Sequence, residues 1–297
     1  MFSHVINPFT PRAPSHDLAQ KVTFAAIKNA MDVAKSNGIG VECLGVVLPE
    51  DEPIVQPPIT PVPALKRTVM DFGTFSKKRL YPLYLDVLRA GTDHGRGTYL
   101  IYTNIDISPQ PNFYVELKRL IDAQAGADPM HPFIITRRSL VTRPYSDVSE
   151  LPEMYKDPGS AHPGYDCFVF PRAWPPRMRM AATCLGAWWF TEVLLANLDT
   201  LSNQRTLVYK DLHLTFHVGD DPQWLGMDEF EQHNAREAAK AAKELRESTG
   251  ADPFGSWLDW LEVKLTGKRP KIRRALIEWR MYRQKKAISR RGGINAN

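Results

Sequence analysis

The sequence predicts an α/β protein with a mixed, mostly parallel central sheet flanked by helices, followed by a helical, basic C-terminal extension. Three observations carry this reading. The chain opens strand–helix–strand, the ordinary start of a parallel sheet. Short apolar runs bounded by Pro and Gly then alternate with helical periodicity as far as His217. The charge is also lopsided: residues 264–291 hold 12 Lys or Arg against one acid, Glu278, a local +11 in a chain of net +5. The remainder therefore carries −6, a mildly acidic body with a basic tail.

Taken in order, Ser3 to Asn7 is a short strand stopped at Pro8, and a helix capped by Ser15 or Asp17 runs to about Lys35. Its Leu18, Val22, Ala25, Ala26 and Ala30 recur at helical spacing, and Asn37-Gly38 ends it. Val41 to Leu48 reads as a buried strand. Pro49 to Pro63 has six prolines in 15 residues and reads as a long extended loop. Leu65 to Met70 is a weak strand, Lys77 to Ala90 an amphipathic helix, Gly91 to Gly97 a turn and Thr98 to Tyr102 a strong strand. Pro111 opens a helix to about Ala125. Phe133 to Ile135 and Cys167 to Phe170 are strands on either side of an irregular stretch, Arg137 to Pro163. Ala181 to Leu198 is apolar nearly all round and reads as a buried helix. Leu212 to His217 alternates like a strand, and three helices follow over Met227 to Glu247, Phe254 to Leu265 and Ile272 to Ile288. The domain expectation is a body at 1–224 and a helical extension at 225–297.

Composition excludes several classes. At 43% hydrophobic and 24% charged the chain is neither disordered nor collagen-like, and it has no run of about 18 apolar residues to span a bilayer. Its first residues lack a basic stretch leading into an apolar one, so no secretory signal is expected. Cys43, Cys167 and Cys184 stand among apolar residues without C-x-x-C spacing and read as reduced core thiols of a cytoplasmic protein. A P-loop, a dinucleotide-binding G-x-G-x-x-G and a G-x-S-x-G elbow are all missing.

Four places can carry chemistry. Asn104-Ile105-Asp106 ends the strong strand, and alternate side chains of extended backbone share one side, so Asn104 and Asp106 can converge on one ion. Amide and carboxylate oxygens suit Mg²⁺ or Mn²⁺ bridging to phosphate, at the strand edge where open α/β sheets bind ligands. The competing reading makes them turn and cap residues before Ser108-Pro109. In Leu212 to His217, residues His213, Thr215 and His217 share one face if the run is a strand, and a histidine so held can ligate Mn²⁺. Asp220 and Asp221 follow in a turn. Asp166, after a Gly turn, can act as a base or be a simple turn residue. Glu192 is a carboxylate in an apolar helix, either a buried structural acid or a catalytic one. Arg137, Arg138, Arg143, Arg172, Arg177 and Arg179 flank these segments, and arginine suits diphosphate.

The order of these parts from Ser3 to Trp224 resembles a GT-A glycosyltransferase. In that fold an Asp-X-Asp motif at a strand end binds a divalent cation that holds the diphosphate of a nucleotide sugar. The resemblance implies that Asn104 and Asp106 stand for Asp-X-Asp, with Asn104 in place of the first Asp. Asp106 and His217 would hold Mn²⁺ or Mg²⁺. Donor contacts would come from Asn7, Pro8 and Phe9 at the first strand end and from Arg137, Arg138 and Arg172. Asp166, or Glu192, would be the catalytic carboxylate. The Pro-rich loop and the Arg137–Pro163 stretch would be lids that exclude water. The acceptor would be a glycan, a lipid-linked group or a modified base in nucleic acid. The basic tail would meet an anionic membrane or DNA, which leaves the protein cytoplasmic or peripheral at the inner membrane face. A non-catalytic module binding nucleotide or an anionic surface remains the alternative from another class.

Overall fold

The computed structural model describes residues 1–124, 130–162, 164–219 and 228–250. Its centre is a parallel pair with no turn chemistry in either strand, β1 (Phe2–Ile6) and β4 (Tyr99–Thr103), joined register to register from Phe2–Tyr99 to Val5–Tyr102. Outward from β1 lie β2 (Val41–Gly45) and the short β3 (Ile59–Pro61), both parallel to it. Outward from β4 lie β9 (Cys167–Pro171), β6 (Phe133–Ile135) and β10 (Leu207–Tyr209). Only β9 is antiparallel to its neighbours, so six of the seven strands end at one edge of the sheet.

Alternation along the strands sorts side chains between two helical layers. Leu100, Tyr102 and Phe168 meet Tyr84, Val87 and Leu88 of α2 (Tyr84–His94) and Val193, Leu194 and Leu198 of α5 (Phe190–Leu201). Phe2, Ile101 and Val169 meet Ala30 and Ala34 of α1 (Pro14–Ser36) and Phe113, Tyr114 and Leu117 of α3 (Phe113–Asp122). Helix α6 (Glu229–Thr249) adds Ala238 and Ala241 to the first layer, so residues past 225 share the body's core as far as they are described. The basic tail, with the helices expected over Phe254 to Leu265 and Ile272 to Ile288, lies outside the described residues.

A second, smaller sheet stands against the main one in the order β5-β11-β7-β8. It joins β5 (Ser108–Pro109), β11 (Thr215–Val218), β7 (Arg138–Leu140) and β8 (Ser160–Ala161). Leu140 and Phe216 close over Val22 and Ala26 of α1. Because β5 begins two residues after Asp106 and pairs with β11, this sheet returns residue 217 to the exit of β4.

Several elements differ from the sequence reading. The stretch Arg137 to Pro163 is not a free lid, since it supplies β7, β8 and the one-turn α4 (Leu151–Met154). The Pro-rich segment forms a 3-10 turn at Pro49–Ile54 and then edge strand β3, so it is built into the sheet. Leu65 to Met70 forms no strand: it makes a single bridge, Thr68 to Pro82, and enters a 3-10 turn at Val69–Asp71. Helix α2 begins at Tyr84, because Pro82 leaves its neighbours extended rather than helical, and it continues through Gly91 to His94. Helix α5 begins nine residues later than expected, at Phe190; Ala181, Gly186 and Trp189 before it are all left-handed, which no helix accommodates.

One buried group pins the two central strands. His4 Nδ1 lies 2.8 Å from the Tyr114 hydroxyl and Nε2 lies 2.9 Å from Thr103 Oγ1. Two hydroxyls that can each donate or accept suit a neutral imidazole, and burial holds its pKa down at about 3. The unfolded chain therefore binds a proton below pH 6.5 that the folded chain refuses, and stability falls as pH drops from there toward 3. Urea unfolding at pH 7.5, 6 and 5 should show wild type losing up to about 1.4 kcal/mol per pH unit relative to His4→Gln over the lower interval. Parallel losses in the two proteins would show that His4 does not titrate this way.

Candidate functional site

The site forms where β4 ends. Ile105 is buried and the residues beside it, Asn104 and Asp106, are half-buried, as alternation requires. They do not converge on one point, however. Asn104 Oδ1 accepts from the Tyr102 hydroxyl at 3.1 Å, on its own strand, whereas Asp106 Oδ2 faces His217 Nε2 at 3.3 Å. A tight turn, closed by Ile107 N–H to the Asn104 carbonyl, separates the two directions.

His217 is oriented by its other ring nitrogen. Nδ1 lies 3.0 Å from the Gly219 carbonyl, which can only accept, so Nδ1 carries the proton. A neutral ring then turns the Nε2 lone pair toward a carboxylate oxygen. Two acceptors at 3.3 Å need something positive between them, either a second proton on His217 or a cation. Burial disfavours the charged ring, but the hydrogen bond and charge of Asp106 outweigh it and raise the His217 pKa. Burial likewise pushes the Asp106 carboxyl up, and the His217 bond, with the charges of His217 and Arg137, brings it below its ordinary value.

Arg137 and Asp166 complete the cluster. Arg137 sits between β6 and β7, and Asp166 directly precedes β9, whose Cys167 pairs with Ile135 of β6. That register sets the two side chains together: Arg137 Nη1 donates to Asp166 Oδ1 at 3.4 Å, and each side chain is 7% exposed. Burial raises the Asp166 pKa and the Asp106 charge adds to it, against the pull of Arg137. Asp106 remains the open member, with 29% of its side chain exposed.

The cluster is short of partners. Asp106 Oδ1, Asp166 Oδ2, Arg137 Nε and Thr215 Oγ1, the last on β11 two residues before His217, are buried with no hydrogen-bond partner among the described residues. Buried polar atoms are nearly always satisfied, and one orphan costs about 1–3 kcal/mol, so four in one neighbourhood mark a place built to receive a polar guest. Among the described residues no three His, Cys, Asp or Glu side chains gather closely enough to hold a metal unaided. The donors still fit one: Asp106 Oδ1 and the His217 lone pair offer two ligands, and Mg²⁺ or Mn²⁺ commonly takes the rest from phosphate and water. Asp220 and Asp221 lie outside the described residues.

The other expected site residues fall in different places. Asn7 stands at the same sheet edge, but its amide is spent tying β1 to β2 through the Val46 carbonyl at 2.7 Å. Pro8 is buried, and Phe9 has its backbone N–H and carbonyl both held by the Gln20 side chain at 3.2 and 2.9 Å. Arg138 clamps the carbonyls of Pro158 and Gly159 at 2.8 and 2.7 Å. Arg172 is removed from the donor set: it follows the antiparallel β9, so it emerges at the opposite edge, where it holds the carbonyls of Gly97 and Thr92 at 2.6 Å each. His213 does not share a face with His217, because its backbone is left-handed (φ 45°) and β11 begins only at Thr215. Glu192 lies half-buried in the first turn of α5. Cys184 bridges to Leu83, at the start of α2, which brings the chain leading into α5 to the same edge as Asp106. Tyr102 was missed as a site residue, although alternation already placed it beside Asn104.

No protein-family model matches the chain, and no curated protein matches its sequence. Among solved structures it is similar to Staphylococcus aureus TarS 1–349 in complex with UDP-GlcNAc, at 12% identity and TM-score 0.45, covering 90% of this chain and 76% of that one. It is similar to Mycobacterium tuberculosis glucosyl-3-phosphoglycerate synthase with Mn²⁺, UDP and phosphoglyceric acid, at 12% identity and TM-score 0.47, covering 81% and 78%. A mutant Drosophila β1,4-galactosyltransferase 7 with manganese, UDP-Gal and xylobiose stands at 11% identity and TM-score 0.40, covering 78% and 79%. At this distance the likenesses decide nothing about chemistry, which rests on the site itself.

Arg137→Ala leaves the Asp166 carboxylate buried without its cation and is expected to cost about 3 kcal/mol in urea unfolding. Arg137→Met combined with Asp166→Leu removes both charges and should recover most of that loss. A single variant as stable as wild type would contradict the pairing.

Proposed function

We propose that the protein is a glycosyltransferase that moves a sugar from a nucleoside-diphosphate donor to an acceptor hydroxyl, with Mn²⁺ or Mg²⁺ held at Asp106 and His217. One observation carries this: an incompletely satisfied cluster that offers both a carboxylate–imidazole pair and a buried guanidinium, at the strand-end edge of an α/β sheet. The pair suits a cation and the guanidinium suits a phosphate oxygen, so the guest it fits best is a diphosphate with its divalent ion.

The chemistry follows from charge. As the acceptor oxygen bonds to the anomeric carbon, the bond from that carbon to the diphosphate oxygen breaks and its electron pair stays on the diphosphate. The divalent ion, when bound, supplies positive charge for that departing group. Arg137 contributes a second, fixed positive charge, with Nε available to donate and Asp166 holding the guanidinium in place. The Gly219 carbonyl fixes the His217 tautomer. Two carboxylates are candidates for taking the acceptor proton. Asp166 is closed off, whereas Glu192 is half-buried in the first turn of α5 at the same edge as Asp106, so the proton is assigned to Glu192.

A non-catalytic binding module is the second reading, favoured by Asn104, a neutral amide bound to Tyr102 where a second carboxylate would stand. The two separate in one set of measurements. Nucleoside diphosphates and nucleotide sugars are screened by calorimetry and thermal shift with Mn²⁺, Mg²⁺ or EDTA, on wild type and Asp106→Ala. A donor that binds only with metal, and is lost in the variant, supports the transferase; at 100 times its Kd it should add about 2.7 kcal/mol of stability. Glu192→Gln should keep donor affinity while transfer falls by about 10²-fold or more. Donor binding indifferent to metal and to Asp106 would overturn the proposal.

A further inference from the structure

We propose that the loop at residues 66–80 is a docking element for an anionic phospholipid surface. Among the described residues four large apolar side chains are exposed, and two of them, Phe72 at 44% and Leu80 at 38%, stand on this loop. Lys66, Lys77 and Lys78 around them are exposed as well, and Asp71 is the loop's single acid. Arg67 is committed elsewhere: it is held by Asp86 of α2 at 2.5 and 2.9 Å and lies over the Phe72 ring, 5.6 Å from its centroid. No helix among the described residues is long and apolar enough to cross a membrane, so any such contact is peripheral.

The exposure is not that of a slack loop. The Thr68–Pro82 bridge and Val69 N–H to the Tyr81 carbonyl, at 2.8 Å, hold its two limbs side by side. Asp71 is used up capping the turn, accepting from Thr68 N–H at 2.7 Å. The Glu229 carboxylate of α6 accepts from Ser76 N–H, Lys77 N–H and the Ser76 hydroxyl at 2.7, 2.9 and 3.0 Å. Phe75 stacks on Phe230 at 4.5 Å, and Arg79 pairs with Asp228 at 3.3 Å. The same loop that buries one phenylalanine so firmly leaves Phe72 and Leu80 outside among lysines. Two exposed apolar side chains on one fixed loop, with three exposed lysines beside them, match a lipid interface, where side chains enter the acyl boundary and ammonium groups meet phosphate. A nucleic acid would use the Phe72 ring for stacking but has no use for Leu80.

Position adds a consequence. The loop leads through Leu83 into α2, which starts at the edge where Asn104 and Asp106 emerge. A bilayer under the loop would lie on the side of the site, which suits an acceptor hydroxyl carried at a membrane. That consequence rests on the proposed transferase reading, whereas the docking itself does not.

The test must separate this loop from the basic tail, so it uses the full chain and local reporters. The native thiols, Cys43, Cys167 and Cys184, are buried, so a cysteine placed by Phe72→Cys, Leu80→Cys or Ser36→Cys is labelled selectively with an environment-sensitive fluorophore. Labels at 72 and 80 should shift to the blue and brighten on vesicles of phosphatidylcholine with phosphatidylglycerol, and stay unchanged on phosphatidylcholine alone. The label at Ser36, at the far end of α1, should not respond. Lys77→Gln and Lys78→Gln should weaken the response by roughly fivefold per charge. Vesicle binding that leaves both loop labels in water would overturn the proposal, as would a response to single-stranded DNA instead. Neither outcome touches nucleotide binding, so this proposal and the transferase reading fail separately.

Discussion

The contact between Asp106 and His217 is the constraint on which the rest depends. It joins a residue at the exit of the main sheet to one on the second sheet, 111 positions later. Two acceptors at 3.3 Å are stable only with positive charge between them, and the chain is arranged to keep them there. The strand β5, two residues long, is the shortest link that turns the chain after Asp106 and still pairs with β11. His4 braces Thr103, three residues before Asp106, from within the core, and Tyr102 draws Asn104 aside so that Asp106 alone faces across.

Arg137 and Asp166 extend the same logic. Burying an ion pair rarely stabilises a fold over a well-packed apolar alternative, and here each side chain keeps an atom with no partner among the described residues. Its value is electrostatic. It places a fixed cation beside a carboxylate–imidazole pair without adding net charge to the core. With Asn104 neutral, the cluster carries one fewer carboxylate than an Asp-X-Asp site would. The divalent ion and Arg137 thus share the neutralising task in the proposed reaction.

Much of this was legible in the sequence. The runs at Ser3 to Asn7, Val41 to Leu48, Thr98 to Tyr102 and Cys167 to Phe170 all became strands, because uninterrupted apolar segments between breakers have few other fates. Asp106, Asp166, His217 and Arg137 were chosen by chemical type and are found together. What failed has physical causes. Arg172 flanks the candidate segments in sequence, but β9 lies between it and Asp166 and carries the chain to the other edge. The segment from Ala181 to Trp189 is apolar enough for a buried helix, and only its left-handed residues, which composition does not reveal, make it a loop. The alternation across Leu212 to His217 was real in letters but broken in the backbone at His213. The pairing of Asp166 with Arg137 depends on the β6–β9 register, which no local pattern encodes.

The most direct test is where a divalent ion sits when a nucleoside diphosphate is bound. Crystals grown with Mn²⁺ and the diphosphate that stabilises the protein best would be measured at the manganese absorption edge. The account predicts one anomalous peak within bonding distance of Asp106 Oδ1 and His217 Nε2, with diphosphate oxygens beside it and Arg137. A peak elsewhere, or a diphosphate bound away from Asp106, would contradict it.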